Sequence, residues 1–183
     1  ARLSGPLFSG CFSVQVEGYQ PSADNSAELE AGWIIKADSI EELVEKLGRE
    51  EIMARSGHNA HPMYSAVKLM WLRDMEPDIF RRIWKFLLYA DFVIYRLSGE
   101  IVEDWSMASR TLAFNVITKE WDPVLLEAAG LSADLFPRPV QGGTAVATVS
   151  PSAAKLTGLT PETLLLIGGQ DQIGATVGAG VLE

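Results

Sequence analysis

Among the side chains of this sequence, Asp171 has the setting best suited to chemistry. It stands in the stretch Leu164-Leu165-Leu166-Ile167-Gly168-Gly169-Gln170-Asp171-Gln172-Ile173-Gly174. Successive apolar residues bounded by turn signals predict a short strand, covered on both faces. Gly168 and Gly169 permit a tight turn and leave room for a ligand to approach the backbone. Asp171 then lies just past the strand's carboxyl end, at the start of a helix, and in open α/β sheets this is where ligands bind. A helix N-terminus favours an ionised carboxylate, so the group is available as a base. The plainer alternative is a helix cap, because Asp is a preferred N-cap residue and most strand–Gly–Asp–helix turns do no chemistry.

Other chemistries find less support. There are two histidines and one cysteine. His58 and His61 fall together in a turn with no matching cluster, so a His/Cys metal site is not expected. No Gly-x-Ser-x-Gly elbow is present for a Ser-His-Asp hydrolase. Gly174, Gly178 and Gly180 superficially resemble a nucleotide loop, but no Gly-Lys-Ser/Thr follows and the order is strand, acid, helix. Glycines four apart on a helix more often allow close helix packing. What remains is a lone positioned carboxylate, which suits general-base work on a hydroxyl. A hydroxyl attacking a phosphoryl group needs such a base, with positioning and metal electrostatics supplying the rest.

The elements that would position Asp171 can be read in outline. The 183 residues suffice for one domain with a real core, or one domain and a fragment of another. A net charge of −9 argues against nucleic acid or an anionic membrane surface as the main partner. No apolar run approaches the ~20 residues that span a bilayer. Cys11 has no internal partner, which fits a reducing cytoplasm. No signal peptide is visible at Ala1, and Ala1 is not an initiator methionine.

Leu7 to Val16 alternates loosely and reads as a strand, Gly18 to Gly32 as a loop, and Trp33-Ile34-Ile35 as a second short strand. Ser39 with Glu42 has capping-box spacing, and Ile40, Leu43, Val44 and Leu47 form one helical face ended by Gly48. Pro62 is suited to a first helical position, ahead of a helix carrying Met63, Val67, Met70 and Trp71. Pro77 restarts a helix through Ile79, Phe80, Ile83, Trp84, Leu87 and Leu88, continuing over Ala90 to Leu97 and stopping at Ser98-Gly99. The middle third is therefore expected to be a helical layer, with Trp71 and Trp84 in the core. Glu103 to Thr111 is polar. Leu112 to Trp121 suggests a short strand and turn, and Asp122-Pro123 starts a helix closed by Gly130. Leu135 to Gly143 reads as a Pro/Gly-rich connector, Thr144 to Val149 as a strand, and Pro151 to Leu156 as a helix closed by Gly158. Strands and helices alternate in this half, which favours an α/β layer fold.

Four stretches, in order, resemble the FGGY carbohydrate kinases, the sugar and polyol kinases that include xylulokinase and glycerol kinase. Tyr64-Ser65-Ala66-Val67-Lys68-Leu69-Met70-Trp71-Leu72 resembles the family's Lys-Leu-x-Trp-Leu helix. Asp91 to Gly99 resembles its Asp-(aromatic)-x-x-x-Arg-Leu-Thr-Gly segment. Asp104-Trp105-Ser106-Met107-Ala108-Ser109-Arg110-Thr111 resembles its Asp-x-Ser/Thr-x-Ala-Ser-x-Thr stretch, with Trp121 where the family has a tryptophan. Gly168-Gly169-Gln170-Asp171-Gln172 resembles the Gly-x-x-Asp-Gln turn. The match covers residues 49–180, whereas 1–48 match poorly.

The resemblance implies an α/β, actin-like, ribonuclease-H-like ATPase domain, the sugar-binding N-terminal side of a kinase that carries the ATP γ-phosphoryl group to a hydroxyl of a ketose such as xylulose or ribulose, or of glycerol. Asp171 matches the catalytic base. Tyr64 matches a position that contacts substrate in the glycerol kinase branch, with a purely structural role as its alternative. Gln172 follows the base and is a candidate to help hold the substrate, with an ordinary first-turn helix residue as its alternative. Asp104 lies in a motif near the site, with a turn-capping role as its alternative. ATP and Mg2+ are the implied cofactors, a small sugar or polyol the partner, and the cytoplasm the location. The family's Asp-x-Gly-Thr hairpin has no counterpart here, and its Trp-x-Asp-x-Arg stretch is not recognisable; Trp33 with Asp38 is a poor match. The expectation is a domain incomplete at both ends and inactive alone, whose uncovered apolar surface leaves a homodimer open. A non-catalytic sugar-binding, regulatory or structural domain on the same fold is the alternative.

Overall fold

The computed structural model describes residues 12–14 and 39–181. The expected strand at Trp33-Ile34-Ile35 and the loop before it lie outside these residues. In chain order the elements are β1 (Phe12–Val14), α1 (residues 39–47), α2 (Arg49–Ser56), α3 (Ser65–Met75), α4 (Pro77–Phe80), β2 (Phe86–Leu88), α5 (Tyr89–Ser98), β3 (Val102–Asp104) and α6 (Trp105–Ser109). There follow β4 (Phe114–Asn115), β5 (Glu120–Trp121), α7 (Pro123–Ala129), a 3-10 turn (Ala133–Leu135), β6 (Arg138–Val140), β7 (Ala145–Thr148), α8 (Pro151–Thr157), β8 (Leu164–Leu166) and α9 (Asp171–Gly178).

The N-terminal helices bury the face that periodicity assigns them, with Ile40 and Leu43 inside the core and Val44 and Leu47 packed against it. Gly48 does end α1, but α2 follows at once. A single residue turns the chain between two helices because Gly48 adopts φ +80 while its N–H donates to the Val44 carbonyl. Helix α3 begins at Ser65, not at Pro62. Tyr64 is extended, and the Ala66 N–H donates to the Thr111 carbonyl at 2.8 Å. A tertiary acceptor thus satisfies one of the N–H groups that a helix start leaves open.

The expected helical layer over residues 77–97 is interrupted. Helix α4 is one turn long, and Phe86–Leu88 form a fully buried strand paired antiparallel with Phe12–Val14. A short apolar run has no periodicity that separates a buried strand from a buried helix. Trp71 packs partly buried against the core as expected, but Trp84 does not: it is exposed and meets the Tyr95 ring at 6.0 Å. The polar stretch at Glu103 holds β3 and α6, and the supposed connector holds β6, which pairs in parallel with β3. Pro139 lacks a donor yet sits in β6, which pairs only with β3 among the described residues.

The principal core joins α1–α3, β2 and α7 through Leu43, Ile52, Met70, Phe86 and Leu125. Trp121 closes it from the β4–β5 hairpin, its Nε1–H donating to the Pro137 carbonyl at 2.7 Å and its ring meeting Phe136 at 4.6 Å. Two smaller clusters lie under the C-terminal half: Val149, Ala153, Ala154 and Leu165, and Val102, Val140 and Ile167, with Ile94 of α5 packed against both. Strand β8 pairs antiparallel with β7 and is covered on one face only, since Leu165 is buried while Leu164 and Leu166 are 53% and 54% exposed.

Candidate functional site

Two strand ends meet at the site. Strand β3 ends on Asp104, which is extended and caps α6: its Oδ1 accepts from the Ser106 N–H at 2.8 Å and its Oδ2 from the Met107 N–H at 3.3 Å. The Ser106 hydroxyl also donates to Asp104 Oδ1 at 2.5 Å. The Asp-x-Ser spacing produces this locally, because a short carboxylate reaches the backbone two and three residues ahead.

Strand β8 supplies the other end. The Ile167 N–H donates to the Thr144 carbonyl and the Gly143 N–H to the Ile167 carbonyl, so the strand is held to its last residue. The Gly168-Gly169 turn follows, and Gln170 stands at the N-cap position of α9, where its carbonyl accepts from the Gly174 N–H. The Gln170 N–H donates to Ser106 Oγ at 2.8 Å, joining the two strand ends. Asp171 and Gln172 are the first residues of α9 and are exposed. Asp171 Oδ1 accepts from the Gln172 N–H at 2.9 Å; its second oxygen has no hydrogen bond among the described residues. The glycines serve close approach more than helix packing. A Cβ on Gly142 would lie 2.9 Å from the Gly168 carbonyl oxygen, whereas Gly174 and Gly178 face open space. Gly142→Ala is expected to push the Gly168-Gly169 turn away and to destabilise by about 1–3 kcal/mol, the range for overpacking, read by thermal unfolding.

The structure therefore brings Asp104, Asp171 and Gln172 to one turn. Tyr64 lies beside Arg110, the residue that follows α6. It is buried, its ring 5.1 Å from that of His58 and 5.6 Å from the Arg110 guanidinium carbon above it. Burial, with the Arg110 charge beside it, holds the His58 ring below the usual histidine range.

Ser106, Glu103 and Asp91 were not singled out from sequence. Ser106 had a signal in its spacing to Asp104, and Asp91 opens the family-like Asp-(aromatic) segment; the burial of the two acids had none, because it depends on β2, β3 and α5 coming together. Asp91 accepts from the Leu88 N–H at 2.8 Å, but burial, with the Asp104 charge adding to it, pushes its carboxyl up to about 7. Glu103 is 0% exposed, and neither carboxylate oxygen has a donor among the described residues. Burial, then the nearby Asp91 and Asp104, raises it well above the ordinary glutamate value. An acid raised in the folded state contributes its stability below the unfolded value, ~4.3 for Glu, and loses it as pH rises through the folded value. Glu103→Met is accordingly expected to gain about 1–3 kcal/mol at neutral pH, the penalty of an unsatisfied buried group. Denaturant titrations at pH 5 and pH 8 check this, the gain being larger at pH 8.

Among the described residues no group of three His, Cys, Asp or Glu side chains is disposed to hold a metal ion, so the three acids around β3 are not a ready Mg2+ cage. No helix among them is long and apolar enough to cross a membrane.

With this geometry in view, the relatives are informative. Residues 36–178 match the N-terminal domain of the FGGY family of carbohydrate kinases. The xylulose kinase of Bacillus subtilis (strain 168) is 34% identical over 120 residues, 66% of this chain and 24% of its own. The autoinducer-2 kinase of Escherichia coli (strain K12) is 31% identical over 157 residues, 86% of this chain and 29% of its own. The crystal structure of xylulose kinase from Rhodospirillum rubrum superposes with a TM-score of 0.76 at 25% identity, covering 80% of this chain and 30% of that one. The chain belongs to the FGGY family of carbohydrate kinases. Its fold is the actin-like ATPase fold of those enzymes, of which it carries N-terminal-domain sequence. It spans less than a third of the length of these relatives.

Proposed function

We propose that this chain forms the acceptor side of an ATP-dependent kinase that phosphorylates a hydroxyl of a ketose or polyol, with Asp171 as the general base. The observation that carries this reading is the placement of Asp171. It is exposed, at the carboxyl end of β8, at the first position of α9, with one oxygen free of intramolecular hydrogen bonds among the described residues. A base must come within ~2.6–3.2 Å of the hydroxyl it deprotonates, and the exposure of Asp171 leaves its carboxylate open to an incoming acceptor.

Asp171 takes the proton as the acceptor oxygen attacks, and Gln172 beside it hydrogen-bonds a neighbouring hydroxyl. Asp104 and Tyr64, both buried, contribute from behind: Asp104 holds the turn that carries the base, and Tyr64 fixes the other end of α6. ATP supplies the phosphoryl group and Mg2+ the charge neutralisation that phosphoryl transfer requires. The printed substrates of the relatives differ, xylulose in one and autoinducer-2 in another, so the reading extends to the acceptor class and not to one sugar. A kinase drawing on ATP is placed in the cytoplasm on this reading.

The test is an ADP-release assay on the full-length polypeptide with ATP, Mg2+ and a panel of xylulose, ribulose, other ketoses, polyols and glycerol, with mass spectrometry of the products. One acceptor class should give a phosphorylated product. A folded full-length protein that binds ATP yet releases no acceptor-dependent ADP would sink the proposal.

A further inference from the structure

We infer that Ser106 is a positioning residue that fixes the angle of Asp171, an inference that rests on the reading of Asp171 as the base. Three observations support it. The first is the polarity of the hydrogen bonds. The Ser106 hydroxyl has one proton, and Asp104 Oδ1 takes it at 2.5 Å. A lone pair is therefore left for the Gln170 N–H at 2.8 Å. The order is fixed as Gln170 N–H to Ser106 O–H to the Asp104 carboxylate, and a charged terminal acceptor strengthens such a chain.

The second observation is what else holds α9. Among the described residues, its other hydrogen bonds stay within the helix and its cap, and all its residues are exposed. The last ties of β8 to β7 end at Ile167. Between that strand end and Asp171 lie Gly168, Gly169 and Gln170, and the bond to Ser106 is the polar contact that fastens this turn to α6. The third is the fit on the other side. The Ser109 hydroxyl donates to the Ser106 carbonyl at 2.8 Å, and a Cβ on Gly169 would stand 3.5 Å from Ser106 Oγ, so the turn lies directly against the serine. Without the hydroxyl, the glycine pair becomes a pivot separated from the base by Gln170 alone. A displacement of about 1 Å at a reacting group is worth about 100-fold in rate.

Two measurements test this. In the chain itself, the Gln170 amide should exchange slowly with solvent, and Ser106→Ala should speed that exchange while the Ala66 amide, bonded to Thr111, stays protected. Ser106→Thr, which keeps the hydroxyl, should restore the slow exchange. Fast exchange at Gln170 in the folded parent chain overturns the inference, whatever the variants do. In the full-length polypeptide, assayed with ATP and xylulose, Ser106→Ala should lower kcat about 10–100-fold with KM for xylulose changed less than threefold. Ser106→Thr should recover most of it. Combined with Asp171→Asn, Ser106→Ala should cause little further loss, because its effect passes through the base. An unchanged kcat in Ser106→Ala overturns the inference, and so does a multiplicative loss in the double variant. Near-normal turnover of Asp171→Asn alone overturns the base reading itself, and the inference with it; the exchange data would still show whether the anchor exists.

Discussion

Asp171→Asn in the full-length polypeptide is expected to lower turnover by ~10²–10⁴, the usual range of a general-base contribution. The substitution removes the proton acceptor but leaves an oxygen able to accept the Gln172 N–H, as Asp171 Oδ1 does at 2.9 Å. The start of α9 is therefore retained, since Asn also suits a helix N-terminus. The loss should fall on kcat, with acceptor affinity largely preserved, because the acceptor is also held by groups other than the base. Steady-state kinetics separate the two: equal losses in kcat and kcat/KM mean an interaction made in the transition state. A near-normal kcat would leave Asp171 with the capping-type role that its position at the head of a helix also allows. Calorimetric titration of parent and variant with xylulose, other ketoses and polyols adds an independent reading: one acceptor should bind both with similar affinity, so that the loss is assigned to the chemical step.

The second large effect lies outside the site. Asp122→Ala is expected to destabilise the domain by about 2–4 kcal/mol: up to about 2 for the cap, the remainder for buried donors left without an acceptor. Asp122 is 1% exposed. Its Oδ1 accepts from the Val124 and Leu125 N–H groups at 2.8 and 3.0 Å, and its Oδ2 from Asn115 Nδ2 at 2.7 Å and Arg55 Nη1 at 3.2 Å. One carboxylate thus starts α7, ties it to β4 and reaches α2. Burial works to raise this carboxyl, but the donors from Leu125, Asn115, Arg55 and Val124 together outweigh it and hold it below the usual aspartate range. The sign follows. A depressed acid contributes stability above its unfolded value, ~3.9, and loses it as pH falls through the lower folded value. The difference between parent and Asp122→Asn in denaturant midpoint should therefore shrink from pH 7 toward pH 3. Glu103 and Asp91 act with the opposite sign, losing stability as pH rises from about 4, with Asp91 titrating near 7. A pH series on Glu103→Met and Asp122→Asn separates the two contributions.

Sequence and structure agree most closely where a feature is local. Asp122-Pro123 and Gly130 bracket α7 as capping chemistry requires, with the aspartate accepting from two N–H groups and Gly130 left-handed at the end. Ser150-Pro151 and Gly158 do the same for α8. The turn before Asp171, and its place at the head of a helix, were legible because glycines and a short apolar run punctuate the chain. The resemblance to the FGGY kinases was carried by stretches of this kind, read along the sequence and in order.

The features that went astray are those whose answer lies in another part of the chain. Phe86–Leu88 is a strand because Phe12–Val14 pairs with it across more than seventy residues. Arg138–Val140 is a strand because β3 supplies the partner. Leu164 and Leu166 are exposed because only one face of the β7–β8 pair meets a neighbour. The two acids around Asp104 rise in pKa only when β3 is buried. By itself the sequence determined the capped ends of α7 and α8, the α/β character and the place of Asp171 at the head of a helix, since these follow from backbone chemistry within a few residues. Tertiary structure alone decided which short apolar runs are strands, that Tyr64 packs against His58 and Arg110, and that Ser106 accepts from the turn before Asp171. Strand pairing and burial are long-range interactions, and no local pattern of residue types encodes their partners.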